Sequence, residues 1–160
     1  MDVNKLSTGQ RIAGVAGLLL FIDLWMSWYG VDLSSLTGVS QGLVNASGVD
    51  TTASAWQAFG FTDILLAITA IVAMALAVTT ARGMHLSLPV RLSSATAGLG
   101  GLMTVIVLYR IINQPGPNNV ITVQWGAYAG LILVALVAYG GVRSMGEEPA
   151  TTIAPTPTPV

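Results

Sequence analysis

The sequence predicts an all-α membrane protein, a four-transmembrane-helix bundle with both termini in the cytoplasm. Three observations predict it. Only 8% of the 160 residues are charged and 53% are hydrophobic, whereas a soluble domain carries about 25% charged residues. Four apolar runs approach or exceed the roughly 20 residues that a helix needs to cross a hydrocarbon core of about 30 Å. The basic residues outside these runs fall on one side of the alternation, before the first, between the second and third, and after the fourth.

The first run, residues 12–30, reads IAGVAGLLLFIDLWMSWYG. Lys5 and Arg11 give it the basic flank of a signal peptide. Asp23 interrupts the run, however, and it closes in WMSWYG with no small-residue cleavage site beside it. The ASA at 53–55 lies too far downstream, so a retained span is expected. Residues 31–55 form the larger external loop, rich in Ser, Thr, Gly and Val, with Asp32 and Asp50 its only charges. Composition leaves open whether it forms a hairpin over the helix ends. Its Asn45 opens an NAS triplet, a glycosylation acceptor pattern of low specificity.

The second run, 56–79, and the third, 92–113, flank a short segment containing Arg82, His85 and Arg91. QPGPNN then forbids helix continuation through its prolines. The fourth run, WGAYAGLILVALVAYGGV, covers 125–142. The bundle domain is 1–143, and the Thr/Pro alternation of 144–160 predicts a disordered cytoplasmic tail. None of the runs shows the ten-residue alternation of a membrane barrel, and backbone groups in lipid must bond internally, so helices are expected.

Direction follows from the basic residues. Lys5, Arg11, Arg82, Arg91 and Arg143 occupy one set of connections, and the other two loops contain no Lys or Arg. Short cytoplasmic loops collect such charge. The predicted location is therefore the cell (inner) membrane, multi-pass. Trp25, Trp28, Trp56, Trp125 and Tyr128 fall at the opposite, external ends of the runs. They read as an interfacial aromatic belt or, in the competing reading, as the lining of an external vestibule.

Small residues mark expected helix contacts, notably Gly98 and Gly101 in the third run and the Gly126–Gly130 pair, at GxxxG spacing, in the fourth. Gly14, Gly17, Gly100, Ala67 and Ala70 are further small residues in the spans.

Three charges remain within the runs, Asp23, Asp63 and Arg110. At 1.5 Å per residue they share one layer, roughly 5–10 Å beneath the external surface. An Asp or Arg at the centre of a membrane helix costs about 2.5–3.5 kcal/mol, and less toward the interface. The expectation is a buried ionic cluster in which the five donors of Arg110 bridge both carboxylates. As a structural device it would clamp three helices in register. As a functional one, its surplus negative charge would hold a proton or take a cation.

WMSWYG closing the first run, WQAFGFTDILL opening the second, LYRIIN ending the third and WGAYAGL opening the fourth resemble small four-span bacterial integral membrane proteins. That resemblance implies the layout and no activity. The larger first loop also looks like that of the claudin type, but the chain has no cysteine and lacks the signature of that loop, so no barrier function is implied.

No P-loop, HExxH or nucleophile elbow occurs, and one histidine cannot build a metal cluster. An enzyme is not expected, nor a metal or cofactor, and a net charge of −1 leaves no nucleic-acid footprint. The expected partners are the lipid bilayer and either another membrane protein or a second copy of this chain. The expected role is a structural or accessory subunit. The alternative is a small oligomeric proton- or cation-linked transporter or channel.

Overall fold

The computed structural model describes residues 4, 6–31, 38, 40–46, 51–58, 60–84, 90–114 and 121–147. Lys5, Asp32, Asp50, Phe59, His85, the side chain of Asn45, the prolines of QPGPNN and the tail beyond 147 lie outside them. The elements are α1 (Thr8–Asp23), β1 (Ser27–Val31), α2 (Gln41–Ala46), β2 (Thr52–Ser54), α3 (Ala55–Ala58), α4 (Gly60–Ala81), α5 (Leu92–Ile112), β3 (Ile121–Val123) and α6 (Trp125–Glu147).

The protein is predominantly helical. Among the described residues α4, α5 and α6 are long and apolar enough to cross a membrane. Their 22, 21 and 23 residues correspond to about 32–35 Å of helix. The shorter α1 has 16 residues, or about 24 Å.

Two sequence expectations change here. The first helix stops at Asp23 instead of continuing to residue 30, and the fold is not purely helical. Tightened turns end α1: the Trp25 N–H bonds Ile22 O at 3.1 Å and the Met26 N–H bonds Asp23 O at 2.9 Å. The next residues, SWYGV, are rich in aromatic and β-branched side chains, which favour a pleated strand. They form the centre of an antiparallel sheet ordered β2-β1-β3. Tyr29 pairs with Ala53 on one side and Val123 on the other, and Gly30 with Thr52 and Thr122. Both edges of β1 are thus hydrogen-bonded, the condition under which non-helical backbone is tolerated near the apolar layer.

Helix ends are specified locally. Ser7 caps α1 in a reciprocal box: its hydroxyl accepts from the Gln10 N–H, and its own N–H donates to Gln10 Oε1 at 3.0 Å. The next orphan donor, Gly9 N–H, is taken up at 2.9 Å by Glu147 from the end of α6. At the close of α4, Gly83 adopts φ +65°. Its N–H bonds Thr80 O and the following Met84 N–H bonds Thr79 O, the Schellman pattern that glycine permits.

Helix order follows from close approaches. α1 lies between α4 and α6, and α5 packs on α6 and, less extensively, on α4. A Cβ on Gly9 would fall 2.5 Å from Ser144 N, and one on Gly140 would fall 2.6 Å from Ala13 N, so α1 and α6 run antiparallel. Gly14 against Ala77 with Gly17 against Ala73, and Gly100 against Ala138 with Gly141 against Ala97, set the same sense for α1–α4 and α5–α6. Up-down-up-down topology results. Arg11, Arg82, Arg91 and Arg143 consequently gather at one end, and the sheet covers the other.

The radial pattern runs opposite to that of a soluble domain. Inside lie Ala13, Ala16, Gly17, Ala70, Ala73, Gly100 and Gly141, with Leu20, Leu66, Met103, Val134 and Val137 filling the gaps. Outside are Leu18 and Ile22 on α1, Ile64 and Ile71 on α4, Val105 and Leu108 on α5, and Ile132 and Leu136 on α6. Small residues between helices and large apolar ones facing outward are the arrangement expected where the solvent is itself hydrocarbon. The Thr69, Thr96 and Thr104 hydroxyls donate to carbonyls four residues back at 2.7 Å, which removes their polarity from that environment. Together with the three long helices, the pattern marks a multi-pass membrane protein.

Candidate functional site

The candidate site lies under the sheet, where the ends of α1 and α5 meet the beginnings of α4 and α6. Asp23 occupies the last turn of α1 and is 3% exposed. Its carboxylate faces α6: a Cβ on Gly130 would stand 2.8 Å from Asp23 Oδ2. Among the described residues neither carboxylate oxygen accepts a well-formed hydrogen bond. The Trp28 indole N–H donates to the Asp23 main-chain oxygen at 3.0 Å, which brings its positive edge beside the carboxylate as well. Position adds a further penalty, because a helix C-terminus carries partial negative charge and disfavours an anion.

Asp63, in the first turn of α4, is 1% exposed. It shares the buried face of α4 with Leu66, Ala67 and Ala70. Here the sign is favourable, because the N-terminal end of a helix stabilises negative charge.

Arg110, in the last turn of α5, is half-buried. The Tyr29 hydroxyl donates to its main-chain oxygen at 3.1 Å, which satisfies a carbonyl at the helix end and ties β1 to α5. The guanidinium is close enough for its charge to act on that hydroxyl.

Equal depth therefore does not bring all three charges together. Asp63 and Arg110 belong to helices in direct contact, but α1 and α5 stand diagonally across the bundle, with α4 and α6 between them. Asp23 makes no ion pair among the described residues, so the expected Asp23–Arg110 bridge is absent there. Depth is readable from residue number; angular position around the bundle is not.

The aromatic residues divide into two groups. Trp25, Trp56, Trp125 and Tyr128 are exposed around the sheet end, Trp125 most of all at 74%. Trp25 stacks edge-on with Phe21 at 5.3 Å and with Trp56 at 5.5 Å. Trp28, expected in the same belt, is instead 0% exposed. It fills the space left by Gly126 and Gly130, where added Cβ atoms would collide with its ring.

That packing revises the glycine expectations too. The Gly126–Gly130 pair receives β1 and Trp28 of the same chain, with the Asp23 carboxylate of α1 also against Gly130. A Cβ on Gly98 or Gly101 would meet nothing within 4 Å, so neither makes a close contact. Their neighbour Gly100 does, with Ala138 N at 2.7 Å from its added Cβ. Gly140 and Gly141 were not singled out from the sequence, yet they admit α1 and α5 respectively to either side of α6. Tyr29 was likewise missed as a helix tie, although its SWYGV context carried a strand signal. The Ser7–Gln10 spacing was a legible capping signature.

No group of three or more His, Cys, Asp or Glu suited to a metal occurs among the described residues. Chemically, the site offers a buried carboxyl with no well-formed hydrogen bond among the described residues, a second buried carboxyl on α4, and one guanidinium at its far side. Such a set can hold or release a proton or fix helix positions.

No protein-family model, curated protein or solved structure is significantly similar to this chain.

Proposed function

We propose that the chain is a four-span protein of the cell (inner) membrane with both termini cytoplasmic, and that it serves as a structural or accessory subunit. Its outer, sheet-capped end would dock a membrane-protein partner or a second copy. The observation that carries this reading is the closed interior. Glycines of α1 and α6 meet backbone and side chains of their neighbours, and Leu20, Trp28, Leu66, Met103 and Val134 are fully buried, so the described helices pack closely along their shared interior. The apolar outer face of α1, with Val15, Leu18 and Ile22 exposed, supports α1 as the fourth span despite its length. The gathering of four arginines at one end supports the orientation.

The exposed Trp25–Trp56 pair beside the sheet is the proposed docking face, since paired aromatics concentrate binding energy at interfaces. A photo-crosslinking residue at Trp25 or Trp56 in intact membranes should give a discrete protein adduct, either to this chain or to another. Adducts to lipid alone would refute the docking role. Orientation is tested separately by single cysteines, for which the cysteine-free chain is a clean background. Thr52→Cys should react with an impermeant thiol reagent from outside, and Met84→Cys only after permeabilisation. The reverse pattern would invert the topology.

One observation favours a second reading. Asp23 is costly where it stands, and buried ionisable groups in membrane helices mark proton or ion pathways. In that reading an oligomer supplies the path and Asp23 carries the proton. Reconstituted protein that dissipates a pH gradient, and loses this with Asp23→Asn, would support it; tight vesicles would not.

A further inference from the structure

Two apolar grooves run along the outer surface of α1 and share a ridge, Val15, and a charged mouth, Arg11. The groove toward α4 is deepened where Gly14 lies against Ala77, with Leu18, Met74 and Val78 as walls. The groove toward α6 is formed by Ala16, Leu19, Leu133 and Leu136. Arg11 is the sole charged residue in either lining.

Further cations stand at the same level. The Arg82 N–H bonds Val78 O at 3.1 Å, so Arg82 continues the α4 helix one turn beyond the groove wall. Arg143 follows Leu136 by seven residues, two turns along the same face of α6. It is exposed and paired with Glu147 at 3.1 Å. From Arg11 to Leu18 and Leu19 the grooves extend about 12 Å, within the roughly 15 Å half-thickness of a hydrocarbon core.

We infer that these grooves form a binding site for one anionic diacyl glycerophospholipid, with an acyl chain on each side of Val15 and the phosphate against Arg11. Two apolar channels converging on one guanidinium match two chains converging on one phosphate. Their shared depth confines both chains to the leaflet on the arginine side. A basic residue between membrane helices on that side is the recognised geometry for anionic headgroups. The inference rests on the reading of α1 as a membrane span, and names a ligand for the end of the bundle opposite the proposed docking face.

The test uses the full-length protein purified in detergent, with phosphatidylglycerol, phosphatidylethanolamine or soluble glycerol 3-phosphate added, and native mass spectrometry to count bound lipid. Phosphatidylglycerol should bind one per chain and raise the unfolding temperature, and neither of the other two should match it. Arg11→Gln should weaken retention about fivefold, as expected for about 1 kcal/mol per basic residue near anionic lipid. Arg11→Lys should keep most of it. Leu18→Gln, on an exposed groove wall, should also weaken it, while Arg91→Gln, which lines neither groove, should not. Equal retention by wild type and Arg11→Gln, or equal stabilisation by glycerol 3-phosphate, would overturn the site. Carbonate extraction of the same variants separates the two readings: release of wild-type protein from membranes would remove the spanning role itself, whereas retained but lipid-indifferent protein would remove only this site.

Discussion

Replacing Asp23 by Asn distinguishes a clamp from a strained functional carboxyl. The side chains are nearly isosteric, so the packing against Gly130 and Trp28 is preserved. What changes is the charge-bearing group, now 3% exposed with neither oxygen in a well-formed hydrogen bond among the described residues. Relief from the wrong end of the helix dipole contributes about 0.3–1 kcal/mol. The rest is a fraction of the roughly 2.5–3.5 kcal/mol that an Asp costs at the centre of a membrane helix, reduced because Asp23 lies toward the interface. The sum is a stabilisation of about 1–3 kcal/mol. For a chain of this size each kcal/mol moves the midpoint by about 2–4 °C, so Tm should rise by several degrees. Thermal unfolding of detergent-solubilised protein, followed by tryptophan fluorescence, measures it. An ion pair holding α1 would predict the opposite sign. An unchanged or lowered Tm would refute the reasoning and show that Asp23 has a strong favourable partner.

The glycines give a paired control. Gly141→Ala would place a Cβ 2.5 Å from Ala97 N, and overpacking of this kind costs about 1–3 kcal/mol. Gly101→Ala meets nothing and should be neutral or stabilising by up to about 1 kcal/mol from helix propensity, so only Gly141→Ala should lower Tm. Trp28→Ala should cost about 3–5 kcal/mol, as for a buried aromatic, whereas Trp125→Ala should leave Tm nearly unchanged because that ring is exposed. Glu147→Gln should accelerate hydrogen exchange at the Gly9 amide, its partner across the helix ends, without altering the global transition. Equal exchange in both proteins would show that this contact does not hold the start of α1.

Much of the architecture was legible in the sequence, for identifiable reasons. Hydrocarbon has no water to satisfy backbone groups, so runs such as 92–113 have few alternatives to helix. Helical periodicity puts Asp63 on one face of α4 with Gly60, Ala67 and Ala70; Asp63, Ala67 and Ala70 are buried there, whereas Gly60, at the start of the helix, is exposed and meets nothing. Apolarity could not locate the end of the first helix: LWMSWYG is as hydrophobic in a strand as in a helix. The strand prevails because β2 and β3, whose Thr52 and Thr122 lie 22 and 92 residues beyond Gly30, pair both its edges.

Composition and periodicity by themselves determined that this chain is helical and apolar, the residues that alternate between buried and outward faces along much of each rod, and the clustering of cations in alternate connections. Those properties are local, fixed by covalent spacing and by the medium. Only the tertiary structure decided that α1 and α5 stand on a diagonal, that Trp28 lies inside while Trp25 lies outside, and that Gly100 rather than Gly98 or Gly101 touches a neighbour. Each of these depends on the rotation of one helix about its axis relative to another. Close packing across the interface sets that rotation, and one-dimensional spacing does not encode it directly.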